Sequence, residues 1–189
     1  DKHVTGVQTC ALPISSIILF ISGSISVLFL SVDAKIIALF VVLPLIIVYN
    51  IKLKKLPLIG NAIISAILGL TFLFSGAVFG NMNKMLIPCF LAFGLTFVRE
   101  IIKDIEDTAG DQLEGVSTFP IIAGLNKAKN LTVILAILIG FGSLLPYFSG
   151  IYSLWYLIFL ILGVEIPLVM LVVLIMKSPS KKTYSFLSK

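Results

Sequence analysis

Histidine occurs once in this 189-residue chain, at His3, and cysteine twice, at Cys10 and Cys89. One imidazole near a chain end excludes histidine-based catalysis and His-ligated metals. Two thiols give neither a disulfide framework nor a zinc site, and Cys89, inside an apolar stretch, reads as a packing residue. Acidic residues number nine, and only 12% of positions are charged, against roughly 25% in soluble domains. That scarcity excludes an ordinary soluble domain.

Apolar sequence takes the place of charge: 59% of residues are hydrophobic and the mean hydropathy is +1.14. Uncharged stretches run over Val4–Val32, Ile36–Ile51, Leu56–Asn83, Met85–Val98, Leu131–Val164 and Ile166–Met176. A bilayer core of about 30 Å needs roughly 20 apolar residues per helix. The expected fold is therefore all-α, a multi-pass transmembrane helical bundle with six spans near 15–31, 35–51, 58–80, 84–102, 128–148 and 153–176. Pro146–Gly150 is a turn-rich cluster that divides the longest run. Gly76 and Gly80 have GxxxG spacing and are assigned to helix packing.

Basic residues orient the bundle. Alternating loops put Lys52, Lys54, Lys55, Arg99, Lys103, Lys127, Lys129, Lys177, Lys181, Lys182 and Lys189 on one side, and only Lys35 and Lys84 on the other. The first side is expected to face the cytoplasm, from within the cell membrane. Lysines beside anionic lipid headgroups account for the net charge of +5 without nucleic acid.

Six of the nine acids, Glu100, Asp104, Glu106, Asp107, Asp111 and Glu114, crowd into one short run. At about 100° per residue, Glu100, Asp104, Asp107 and Asp111 share one narrow helical stripe. Like carboxylates this close repel one another unless a cation lies between them. Hard divalent ions such as Mg²⁺ suit oxygen ligands and bridge readily to phosphate. A solvated acidic loop between two helices is the plainer alternative. Arg99 and Lys103 flank the stripe, and carboxylates, a basic pair and an apolar cavity together suit a lipid diphosphate. The Lys52–Lys55 turn is either a membrane anchor or a grip for an anionic substrate group. Asn61 is either a packing amide or a site residue. Glu165, an acid inside an apolar span, is a functional candidate, with protonation or pairing within the bundle as the alternative.

The segment Lys103–Asp111, with Gly115–Pro120 and Gly124, resembles the second aspartate-rich motif of the UbiA superfamily of intramembrane prenyltransferases. Tyr49–Asn61 resembles that family's segment between its fourth and fifth helices. The run from Arg99 to Pro120 is most similar to the geranylgeranylglycerol-phosphate geranylgeranyltransferase branch, with Phe119 where leucine is commoner. The resemblance covers about residues 15–189. It implies that Asp104, Asp107 and Asp111 bind Mg²⁺–diphosphate, with Arg99, Lys103, Tyr49, Lys52, Lys54, Lys55 and Asn61 on the substrates. The implied reaction is Mg²⁺-dependent transfer of a polyprenyl group from its diphosphate to a lipid-like prenylglyceryl phosphate acceptor. Prenylation of an aromatic quinone precursor, of 4-hydroxybenzoate or naphthoate type, and a non-catalytic transport protein are the rivals.

Both ends depart from that pattern. Residues 1–14 resemble translated adapter read-through and are expected to be a non-native leader; 177–189 read as a loop cut before another helix. The family's first motif, NDxxDxxxD, is absent. The resemblance thus implies a fragment holding the third to eighth of nine helices and half a metal site, inactive alone.

Overall fold

The computed structural model describes residues 2–113, 115–177, 184, 185 and 187, the side chains of 2–13 and 55 excepted. Helix α1 (Lys2–Val27) leads through a turn to α2 (Val32–Lys35), a π-helical stretch (Ile36–Val42) and α3 (Leu43–Ile51). A 3-10 turn (Leu53–Lys55) joins these to α4 (Ile59–Val78), followed by α5 (Met82–Leu113), the short α6 (Phe119–Ala123) and α7 (Leu125–Phe148). Then come α8 (Leu154–Leu160), a second π-helical stretch (Ile161–Glu165) and α9 (Ile166–Met176). Every described regular element is helical, as the apolar runs require.

Five helical runs are long and apolar enough to cross a membrane: Val32–Ile51, Ile59–Val78, Met82–Leu113, Leu125–Phe148 and Leu154–Met176. Large apolar side chains face outward along them, among them Phe40, Phe72, Phe90 and Phe141. In water that surface would be unstable; in lipid it needs no cover. The molecule is a multi-pass membrane protein. Of the six expected spans, the first differs most. Its apolar part is Ile14–Val27, and the chain turns before Ser31, whose side chain is engaged twice. Ser31 Oγ accepts from Ala34 N at 3.3 Å and donates to Ala77 O at 2.8 Å.

Lipid removes the hydrophobic drive for helices to associate, so close packing at small residues takes its place. On α4 a Cβ at Gly69 would stand 2.8 Å from the Cys89 carbonyl oxygen of α5, and one at Gly76 would stand 2.9 Å from Met82 Cα. On α5 a Cβ at Gly94 would meet Ile139 of α7 at 2.8 Å. The expected GxxxG pair is thereby split. Gly76 packs, whereas Gly80 turns the chain at φ +70° with open space around it. Pro146 lies inside α7, near its end, as the expected span 128–148 allows, and the turn falls at Gly150, φ +71°. The missing N–H of Pro146 costs one helical bond, and so close to the end of α7 little helix is left for it to bend. The Pro146 carbonyl is satisfied from beyond the helix, accepting from Ile151 N at 3.0 Å.

Val98, Ile101, Ile102 and Ile105 of α5, Ala128 of α7, Ile175 of α9 and Tyr184 form the main core. It lies under the C-terminal half of α5, the half that bears the acids.

Candidate active site

Helix α5 is the element that sets the site. It has 32 residues, about 48 Å at 1.5 Å per residue, so its last turns outrun a hydrocarbon core of about 30 Å. The expected span 84–102 therefore continues as helix to Leu113 rather than ending in an acidic loop. Glu100, Asp104, Asp107 and Asp111 all lie on this helix, so their spacing does place them on one stripe. Glu100, Asp107 and Asp111 all act electrostatically on Asp104.

Asp104 is half-buried, and its Oδ2 accepts from Asn61 Nδ2 of α4 at 2.7 Å. The contact follows from the antiparallel pairing of α4 and α5, which sets the start of one beside the acidic end of the other. Glu100 and Asp104 lie close enough to the Tyr49 hydroxyl of α3 to act on it. The Leu53–Lys55 turn rests on α4 just before Asn61: a Cβ at Gly60 would stand 3.1 Å from Leu53 O and 3.5 Å from Lys54 Cα. Leu58, which ends this turn, holds φ +60° while packing against the α5 core. A leucine there carries strain of about 1–3 kcal/mol, tolerated because the surrounding packing fixes it.

The structure thus brings Tyr49, Asn61, Asp104 and the backbone of the lysine turn to one end of the bundle. Lys52, Lys54, Lys103 and Asp107 are exposed there, and the side chain of Lys55 lies outside the described residues. Arg99 does not face the stripe as a spare cation. Its Nη1 pairs with Glu100 Oε1 at 2.6 Å, with the arginine side chain 49% exposed and the glutamate 17%. Nothing in the spacing signals that adjacent pair. Among the described residues no three His, Cys, Asp or Glu side chains are placed to enclose a metal ion. His3 and Cys10 have side chains outside the described residues; Cys89 is a free thiol packed near Gly69.

Glu165 belongs to a different neighbourhood. Its Oε1 accepts from Ser143 Oγ at 2.6 Å, and Gly140 leaves room for Oε2, which a Cβ there would meet at 3.0 Å. Tyr156 donates to Ser143 O at 2.8 Å. The Tyr152 hydroxyl donates to Lys84 O at 3.0 Å, so α7 ends where α5 begins. With Gly94 against Ile139, Asp104 is level with the start of α7, and Glu165 sits about 16 Å away along the axis. Glu165 is therefore paired within the bundle, away from the acidic stripe. Glu165→Gln keeps an acceptor for Ser143, and turnover is expected at the wild-type level. A severe loss in that variant, measured as diphosphate release, would return Glu165 to the reaction.

A family model described as the UbiA prenyltransferase family matches residues 10–189. The chain belongs to the UbiA prenyltransferase family. A digeranylgeranylglyceryl phosphate synthase of Methanosphaera stadtmanae is 38% identical over 174 residues, 92% of this UbiA chain and 63% of the relative. One of Saccharolobus solfataricus is 40% identical over 159 residues, 82% of this chain and 55% of the relative. A solved structure, described as giving structural and mechanistic insights into digeranylgeranylglyceryl phosphate synthase in membranes, superposes with a TM-score of 0.75 at 34% identity. The match covers 93% of the UbiA chain and 62% of the solved one. The chain spans between about half and two thirds of the length of these relatives.

Proposed function

We propose that the complete protein transfers a geranylgeranyl group from its diphosphate to a prenylglyceryl phosphate acceptor, in archaeal-type ether-lipid synthesis. The observation that supports this best is the α5 stripe with Asp104 held by Asn61, in a chain whose relatives carry the name of that synthase. On this reading the stripe faces the cytoplasm, because the lysine-rich end of the bundle is also its acidic end.

Asp104, Asp107 and Asp111 supply hard oxygen donors of the kind that Mg²⁺ prefers. They line one stripe instead of closing a cage, which suits one wall of a site whose other ligands are diphosphate oxygens and groups elsewhere. Bound there, Mg²⁺ would neutralise the diphosphate and make it a competent leaving group. Lys103 stands beside the stripe to take diphosphate oxygens, and Arg99 can do so by exchanging Glu100 for phosphate. Charge stabilisation of the departing diphosphate is the main catalytic contribution. Tyr49 lines the same end, near Glu100 and Asp104. Lys52, Lys54 and Lys55 form the nearest cationic turn for the acceptor phosphate, at the membrane surface where both lipid substrates present their headgroups.

The test is diphosphate release by purified, nanodisc-reconstituted protein given geranylgeranyl diphosphate, Mg²⁺ and geranylgeranylglyceryl phosphate. Release that requires all three is expected. Release with aromatic acids alone would assign a quinone-precursor acceptor, and none with any acceptor would return the chain to a non-catalytic role.

A further inference from the structure

We infer that Asn61 is a positioning residue, whose amide fixes the Asp104 carboxylate so that one oxygen is committed and the other is turned toward the cation of the stripe. The inference rests on the proposed Mg²⁺ site, and it moves Asn61 from the substrate contacts implied by resemblance to a role exerted through Asp104.

The geometry is specific. The Nδ2–Oδ2 distance of 2.7 Å is at the short end for a hydrogen bond to an ionised acceptor. Among the described residues this amide is the one hydrogen-bond donor to that carboxylate. An aspartate χ2 torsion is otherwise broad, so a half-buried carboxylate among three like charges has no other device to set its plane.

The amide is itself held from behind. Asn61 follows Gly60, where α4 meets the backbone of the lysine turn. Its own carbonyl accepts from Ser65 Oγ at 2.6 Å, and Ser65 is fully buried. Gly69 then keeps α4 and α5 too close for the pair to separate. A packing role alone would be filled by an apolar residue, which could not donate. One N–H is taken by Asp104, so a substrate contact would have only the second N–H and Oδ1 of the amide. Partners that orient a metal ligand typically change metal affinity by about 10–100-fold when removed.

The experiment is Mn²⁺ binding, followed by electron paramagnetic resonance, to the full-length protein in nanodiscs with inorganic diphosphate present. Asn61→Leu and Asn61→Asp are expected to weaken binding about 10–100-fold, and to raise the Mg²⁺ needed for half-maximal turnover by the same factor. KM for the prenyl diphosphate at saturating Mg²⁺ should stay unchanged. Asn61→Gln, which keeps the amide, should recover part of the metal affinity and serves as the folded control. Unchanged Mn²⁺ affinity in a folded Asn61→Leu would overturn the inference in favour of packing. A raised KM at saturating Mg²⁺ would overturn it in favour of substrate contact. A wild-type protein that binds no Mn²⁺ would remove the metal site itself, and the inference with it; active wild type with unaltered variants would remove only the inference.

Discussion

Replacing Asp104 by alanine is expected to lower turnover by roughly 10³-fold, the scale on which loss of one preorganised electrostatic group acts. The fold should survive. Asp104 lies on the α5 surface beside α4, whereas the core beneath it is Ile101, Ile102 and Ile105, none of which the substitution touches. Removing a carboxylate from a stripe of four also relieves repulsion, so thermal unfolding of the reconstituted protein should occur at or above the wild-type temperature. The combination is diagnostic: a structural residue would lose stability along with activity. Asp111→Ala should behave in the same direction. Near-normal diphosphate release from a folded Asp104→Ala would take the stripe out of the mechanism.

The second large effect is expected far from any charge. Gly69→Val places a branched side chain where even a Cβ would stand 2.8 Å from the Cys89 carbonyl oxygen and 3.3 Å from Phe93 Cβ. Backbone cannot give way as a flexible side-chain tip can, so α4 and α5 must part. Overpacking of this kind costs about 1–3 kcal/mol. Since Asn61 and Asp104 are carried by these same two helices, parting them should also weaken the 2.7 Å contact. Lower unfolding temperature together with a higher Mg²⁺ requirement is the expected pair of readouts. Gly142→Val is the contrast, because nothing lies within 4 Å of a Cβ there.

Much of the fold is legible in the amino-acid order. Of the six expected spans, hydropathy marks 35–51, 58–80, 128–148 and 153–176 to within about three residues, because an uninterrupted apolar run admits few other structures in lipid. It misses the extension of 84–102 to Leu113. The spacing of Glu100, Asp104, Asp107 and Asp111 is a property of one helix, so it too reads correctly. Contacts between helices do not. Asn61 and Asp104 are 43 positions apart, and no local pattern links them. The pairing of Arg99 with its neighbour Glu100 is likewise not signalled by the spacing. Glu165 shows the same limit: its oddity is visible, but its partner Ser143 lies on another helix. Pro146 falls inside both the expected span 128–148 and α7, because so near a helix end a proline displaces little.

The π-helical stretch Ile161–Glu165 carries a surplus residue relative to an α-turn, and that sets the angular phase of the helix beyond it. Glu165 is its last residue, so the direction of the carboxylate toward Ser143 depends on the extra position. Winding the same residues as an unbroken α-helix would rotate α9 by about 100° relative to α8. Either Glu165 would swing off Ser143 into lipid, or Leu168 and Ile175 would leave their buried places. The bulge is a phase adjuster that lets one helix satisfy two neighbours whose demands an unbroken 3.6-residue period cannot meet together.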